Sequence, residues 1–175
     1  MSRAERLRLL IAVLLVVLAL DQATKILATK HLAAGPGRSY LGGTARLEYA
    51  ENRGAFLSLG ANLPAGWREG LLAGLNVLLV VGLTVYLIRG RDLSRWPTLA
   101  LALLISGGFG NLIDRVVRGG AVVDFMILGI GPVRTGVFNV ADLCLTTGAI
   151  LFAFTGAASG RTEEARPDPE ASEEK

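Results

Sequence analysis

The sequence predicts an all-α membrane protein: four transmembrane helices in a bundle, with a small extracytoplasmic β element built from the outer loops. Three observations carry that prediction. First, 51% of the 175 residues are hydrophobic, too large a share for an ordinary soluble domain. Second, four apolar stretches, about 9–28, 70–88, 96–113 and 137–159, approach the roughly 20 residues that a bilayer core requires. Third, the connections "ARLEYAENRGAFLSLG" and "GAVVDFMILGIGPVRTGVF" mix β-formers with turn residues and read as short strands rather than linkers.

The first stretch follows Arg3, Arg6 and Arg8 and has a charge-free core from Leu9 to Leu20. No small-residue cleavage site comes after it and "DQATK" continues at helical spacing, so it reads as a signal anchor and not a cleaved leader. Arg89, Arg91 and Arg95 crowd the short connection between the second and third stretches. Together with the basic N-terminus they place both flanks, and hence both termini, in the cytoplasm. Residues 29–69 and 114–136 then lie outside. Residues 1–159 form a single domain without internal repeat, and the charged tail 160–175, "GRTEEARPDPEASEEK", is expected to be a disordered cytoplasmic segment. The lone Cys144 allows no intrachain disulfide, and the lone His31 is expected to be interfacial. The net charge of +3 is scattered near segment ends, which suits interface anchoring and not nucleic-acid binding.

Parity then places the polar residues. Asp21 lies near the outer end of the first segment, Asp114 at the outer end of the third, and Asp124 in the second outer loop. Asp142 falls about 7 Å below the start of the fourth segment at 1.5 Å rise per residue. All four acids share one leaflet with Asn52, Asn111 and Asn139, while Asp92 is on the opposite side. Asp21 has Lys25 at i+4, and Asp114 has Arg118, so each can form a same-face ion pair. Asp124 and Asp142 have no basic residue within four positions. Two carboxylates brought together in an apolar setting share one proton, so that one serves as base and its partner as acid. That is the working pair of an aspartic protease. Blander readings exist: Asp142 as a polar contact holding the bundle, Asp21 with Lys25 as an interfacial cap, and "GGFGN" as close helix packing through small residues. A small proton-coupled carrier would also use intramembrane acids, but with repeat symmetry that is not visible here.

"DQATK" at 21–25, "NRGAF" at 52–56, "GGFGNLIDR" at 107–115, "VVDF" at 122–125 and "FNVAD" at 138–142 resemble, in order, the signatures of bacterial lipoprotein signal peptidase, or signal peptidase II. The resemblance implies an intramembrane aspartic endopeptidase of the bacterial inner membrane, with its site near the outer leaflet. It would cut lipid-modified prolipoproteins before a diacylglyceryl-modified cysteine, acting as a monomer among membrane lipid without cofactor or metal. The catalytic pair maps onto Asp124 and Asp142. Asn139 would hydrogen-bond within the site, and Asn111, Asp114 and Arg115 would brace it. Asp21, Lys25, Asn52 and Gly54 would shape its rim and the outer loop over it. Two departures, Leu143 after "FNVAD" and the 126–131 stretch after "DF", bear on substrate or inhibitor preference and not on the reaction.

Overall fold

The computed structural model describes residues 1–54, 64–90 and 93–164. Four helices, α1 (Arg3–Leu32), α2 (Ala65–Arg89), α3 (Arg95–Val117) and α4 (Val140–Glu164), are joined through four strands, β1 (Arg38–Tyr40), β2 (Ala45–Asn52), β3 (Val122–Ile130) and β4 (Val133–Arg134). The helix count and the outer strands agree with the sequence prediction. β1 is an addition, since three residues, "RSY", are too few to show a period.

α1 begins earlier than the apolar pattern because its start is set by polar atoms. Ser2 and Glu5 form a reciprocal capping box, Glu5 N donating to Ser2 Oγ at 3.2 Å and Ser2 N to Glu5 Oε2 at 2.7 Å. One turn in, buried Arg6 donates to Leu87 O at 3.1 Å and to Gly90 O at 2.5 Å. These are carbonyls at the C-terminal end of α2 that no helical N–H can satisfy. The basic flank expected from topology is thus also a helix cap. α4 begins at Val140 and not 137, because Phe138 bridges to Met126 as an extended residue. It runs to Glu164, so residues 160–164 are helical where disorder was expected; each residue added to an existing helix gains a backbone hydrogen bond. Residues 165–175 of the tail lie outside the described residues.

α3 is the central helix and packs on α1, α2 and α4. Its contact with α4 is close: a Cβ built on Gly107 would lie 2.5 Å from Ala141 O, so only glycine lets the two backbones meet there. Leu10, Val80, Leu87, Leu93, Leu101, Ala102 and Ile105 form the buried bundle core. Large apolar side chains on the outer faces, such as Leu15 on α1 and Leu78 on α2, are 63% and 69% exposed, which is tolerable only against lipid. α1, Glu69–Arg89 of α2 and α3 are each long and apolar enough to cross a membrane, and α4 is apolar over Val140–Thr155. The chain is a multi-pass membrane protein.

The strands form one antiparallel sheet in the order β1-β2-β3-β4. Leu47 pairs with Met126 and Ala50 with Asp124, three steps along β2 against two along β3. The extra residue is a β-bulge, a device that bends a strand and re-aims the side chains beside it. Here it sits next to Asp124. The sheet is seated on the end of α1 through Ala28, Leu32 and Phe125, with Leu47, Tyr49, Met126 and Val140 packed around them.

Candidate active site

Five elements meet where the sheet joins the bundle, and each contributes polar atoms. α4 supplies its capped N-terminus. Asn139 precedes the helix, its Oδ1 accepting from Asp142 N at 2.8 Å, while Asp142 Oδ2 accepts from Asn139 N at 3.3 Å. This reciprocal arrangement is a capping box with asparagine as the cap and aspartate at the third helical position. The cap also explains why an acid is stable there, since the helix N-terminus favours negative charge.

The same asparagine reaches the second acid. Asn139 Nδ2 donates to Asp124 Oδ1 at 2.6 Å, and lies 3.1 Å from Asn111 Oδ1 and 3.3 Å from Val123 O. Asn52 Nδ2 holds the other oxygen of Asp124 at 3.1 Å, and Asn111 Nδ2 holds Asp142 Oδ1 at 2.7 Å. Asp124 and Asp142 are therefore linked by neutral amides. Among the described residues neither forms an ion pair with Lys or Arg. Asp124 is 2% exposed, whereas Asp142 is half-buried and is the open member of the pair. Burial, followed by the charge of Asp142, raises the Asp124 carboxyl from its ordinary 3.8 to about 6, with the Asn52 and Asn139 amides opposing the shift.

A second acidic group lies behind the first. Lys25 Nζ is 2.8 Å from Asp21 Oδ2 and 3.1 Å from Asp114 Oδ2, and donates to Asn111 Oδ1 at 3.2 Å. All three charged side chains are 0–1% exposed. Asp21 Oδ1 accepts from Ala141 N at 2.9 Å, so it ties α1 to the first turn of α4. Asp114 Oδ2 accepts from Val123 N at 3.0 Å, fixing β3 one residue before Asp124. Gly110 leaves room for this, because a Cβ there would come within 2.8 Å of Asp21 Oδ2. "GGFGN" is thus close packing at Gly107 and space for a carboxylate at Gly110.

The sequence expectations for the acids need two corrections and one addition. Asp21 and Lys25 are not at the rim but fully buried beneath the site. The expected Asp114–Arg118 ion pair forms at 3.8 Å, and a nearer cation joins it, Lys25 at 3.1 Å, which no sequence spacing indicates. The separation of Asp124 and Asp142 from positive charge holds for direct pairs but not for the wider field. Lys25 acts on Asp124 through space, and Arg115, which donates to Asn111 O at 3.3 Å, lies in electrostatic reach of Asp114, Asp124 and Asp142. Gln22 was missed: its Nε2 donates to Asp21 Oδ2 at 3.1 Å and Asp114 Oδ1 at 3.2 Å. The available signal was an amide inside an apolar segment, beside an acid already singled out. Gly54, with φ +111°, donates its N–H to Asn52 Oδ1 at 3.0 Å and so orients the amide that holds Asp124. The rest of "NRGAF" and the outer loop that follows fall at 55–63, outside the described residues. Leu143 is exposed on α4.

A family model described as "Signal peptidase (SPase) II" matches residues 13–157, and the chain belongs to that family of proteases. It is 38% identical over 151 residues to the lipoprotein signal peptidase of Mycobacterium leprae (strain Br4923), covering 83% of this chain and 70% of that one. To the lipoprotein signal peptidase of Streptococcus pyogenes serotype M6 it is 36% identical over 144 residues, 82% of this chain and 90% of the relative. Two solved structures share the fold. One, titled "Bacterial membrane enzyme structure by the in meso method at 1.9 A resolution", has TM-score 0.73 and 26% identity over 83% of this chain and 90% of that one. A second, of the same title at 2.3 A, has TM-score 0.77 at 24% identity over 91% and 93%.

Proposed function

We propose that this protein is an intramembrane aspartic endopeptidase that removes signal peptides from prolipoproteins by cleaving before the diacylglyceryl-modified cysteine, with Asp124 and Asp142 as the catalytic pair. The observation that carries the reading is the linkage of two acids, one from β3 and one from α4, through the single residue Asn139, whose side-chain amide donates to the Asp124 carboxyl and whose backbone N–H donates to that of Asp142. Up to about pH 6 such a pair holds one proton. Buried Asp124 is its natural carrier, and half-open Asp142, stabilised by Asn111 and by the helix N-terminus, is the ionised base. In the forward reaction Asp142 takes a proton from water as the water oxygen bonds to the scissile carbonyl carbon. Asp124 gives its proton to the carbonyl oxygen. The tetrahedral intermediate then collapses: the carbonyl re-forms, its proton returns to Asp124, and Asp142 delivers its proton to the departing amide nitrogen as the C–N bond breaks.

Residues 1–159 constitute the peptidase domain, monomeric in the bacterial inner membrane. The basic flanks support cytoplasmic termini and a site near the outer leaflet, where diacylglyceryl chains remain in lipid while the peptide meets the pair. Asn111, Asn139 and Asn52 orient the acids, while Asp21, Lys25, Asp114, Gln22 and Arg115 brace the elements that carry them. The test is purified protein in proteoliposomes with a diacylglyceryl-modified prolipoprotein peptide. A product beginning at the modified cysteine is expected, with poor cutting of the unmodified peptide. No cleavage by a well-folded preparation, or equal rates on both peptides, would refute the reading in whole or in its lipid requirement.

A further inference from the structure

The far end of the sheet is unaccounted for by the catalytic machinery. Leu41 and Tyr40 are 80% and 46% exposed, and Leu128, Ile130 and Val133 are 47%, 79% and 76% exposed. The backbone brings them together. Gly129 N donates to Thr44 O at 2.9 Å, and Arg134 Nη1 to Gly43 O at 3.1 Å, which ties the β3–β4 turn to the turn between β1 and β2.

Register shows which way these side chains face. Leu47 and its partner Met126 pack around Ala28 and Leu32 at the end of the transmembrane helix α1. Side chains alternate along a strand and cross-strand partners share a face. Ala45 and Leu128, two residues from that pair, therefore lie on the same face, as do Ile130, its partner Val133, and Tyr40, the partner of Ala45. The face that the sheet turns to the membrane end of α1 thus continues past that helix as an apolar surface with no protein against it among the described residues. Arg38, the partner of Leu47, is exposed on this face, whereas Arg46 and Glu48 are on the other. Residues 38–47 and 127–136 contain Arg38, Arg46 and Arg134 and no acid.

We propose that this tip is a lipid-docking element: Tyr40, Leu41, Leu128, Ile130 and Val133 seat in the bilayer interface beside α1, and Arg38 engages the phosphates of anionic lipid. The pattern is that of interfacial anchors, in which apolar and aromatic side chains enter the boundary between headgroups and acyl chains while basic residues meet anionic headgroups. Charge complementarity selects lipid over a second copy of this chain, whose matching face would carry the same positive charge. Because β3 carries Asp124 at one end and the tip at the other, docking holds the strand that positions the catalytic acid.

The test is depth measurement on the full chain. With Cys144→Ser as background, a nitroxide is attached after Val133→Cys, after Ile130→Cys, and, for the opposite face, after Glu48→Cys. Collision with oxygen, which concentrates in lipid, is compared with collision with a water-soluble nickel complex, in vesicles of phosphatidylcholine with and without phosphatidylglycerol. In anionic vesicles the oxygen-to-nickel ratio should be roughly threefold or more higher at 133 and 130 than at 48. Arg38→Gln should return it to the value in pure phosphatidylcholine. Ratios at 133 and 130 equal to that at 48 would overturn docking. Shielding from both reagents would overturn it too, by showing that protein covers the tip. An unchanged ratio in Arg38→Gln would overturn the role of charge. Peptide cleavage is measured on the same preparations, so loss of docking is distinguished from failure of the catalytic assignment.

Discussion

Two acidic groups lie within one protein interior and behave oppositely. In Asp21–Lys25–Asp114 two carboxylates flank a fully buried ammonium, and their oxygens also accept from Ala141 N, Val123 N and Gln22. In Asp124–Asp142 the partners are amides, and one acid is open. The first group pairs its charges directly, whereas in the proposed mechanism the second holds a proton that can move. Residue type is the same in both, so on that proposal the partner decides the role: a cation fixes an acid as structure, and an amide leaves it as chemistry.

That contrast breaks most sharply at the pair. Asp124→Asn and Asp142→Asn should each reduce cleavage by about 10³-fold or more, and the double variant should be no worse than either single one, because residues acting as a unit are strongly non-additive. Melting temperatures should remain near that of the parent. Substantial cleavage by folded Asp142→Asn would make that acid structural and dissolve the distinction.

The converse is expected behind the site. Lys25→Met leaves two buried carboxylates without their cation, and should cost about 3–5 kcal/mol of stability. Thermal melts in detergent should show a large loss, partly recovered when Asp21→Asn is added. A melt unchanged from the parent would mean that the buried network is dispensable.

Asn139 belongs to both the fold and the pair, and two substitutions separate the roles. Asn139→Ser keeps a capping oxygen but removes the amide that holds Asp124, so kcat should fall roughly 10²-fold with stability nearly kept. Asn139→Ala should lose a further ~1 kcal/mol of stability through the missing cap. Equal melts for the two would show that the side chain does not cap α4.

The smallest effect is in pH. Asp124 is raised to about 6, so its protonated form is favoured in the folded protein. Its contribution to stability is full below the ordinary 3.8 and is lost as pH rises through about 6. The one-proton state of the pair is lost over the same range, and kcat/KM, which reports the free enzyme, should fall about tenfold per unit above it. Lipid substrate that displaces water should move the corresponding limb of kcat upward. A flat kcat/KM from pH 5 to 8 would remove Asp124 from the proton inventory.

The sequence by itself determined the elements that local chemistry controls. Apolar stretches of bilayer length fixed four helices, basic flanks located their ends, and turn residues among β-formers marked the outer strands. It also singled out Asp124 and Asp142, since a carboxylate without a nearby cation in an apolar stretch is costly wherever the chain folds. Only the tertiary structure decided the partners. Asn111 lies 31 residues from Asp142, Lys25 lies 89 from Asp114, and Ala141 lies 120 from Asp21, separations that no local spacing encodes. The family resemblance put Asp21 and Lys25 at the rim, and their position near a segment end could not correct it, because it indicates depth along the membrane but not the direction in which a helix face points. That direction was set when α3, with glycine at 107 and 110, let α4 and the Asp21 carboxylate approach closely enough to exclude water. Depth follows from counting residues, whereas burial requires knowing which helices pack together.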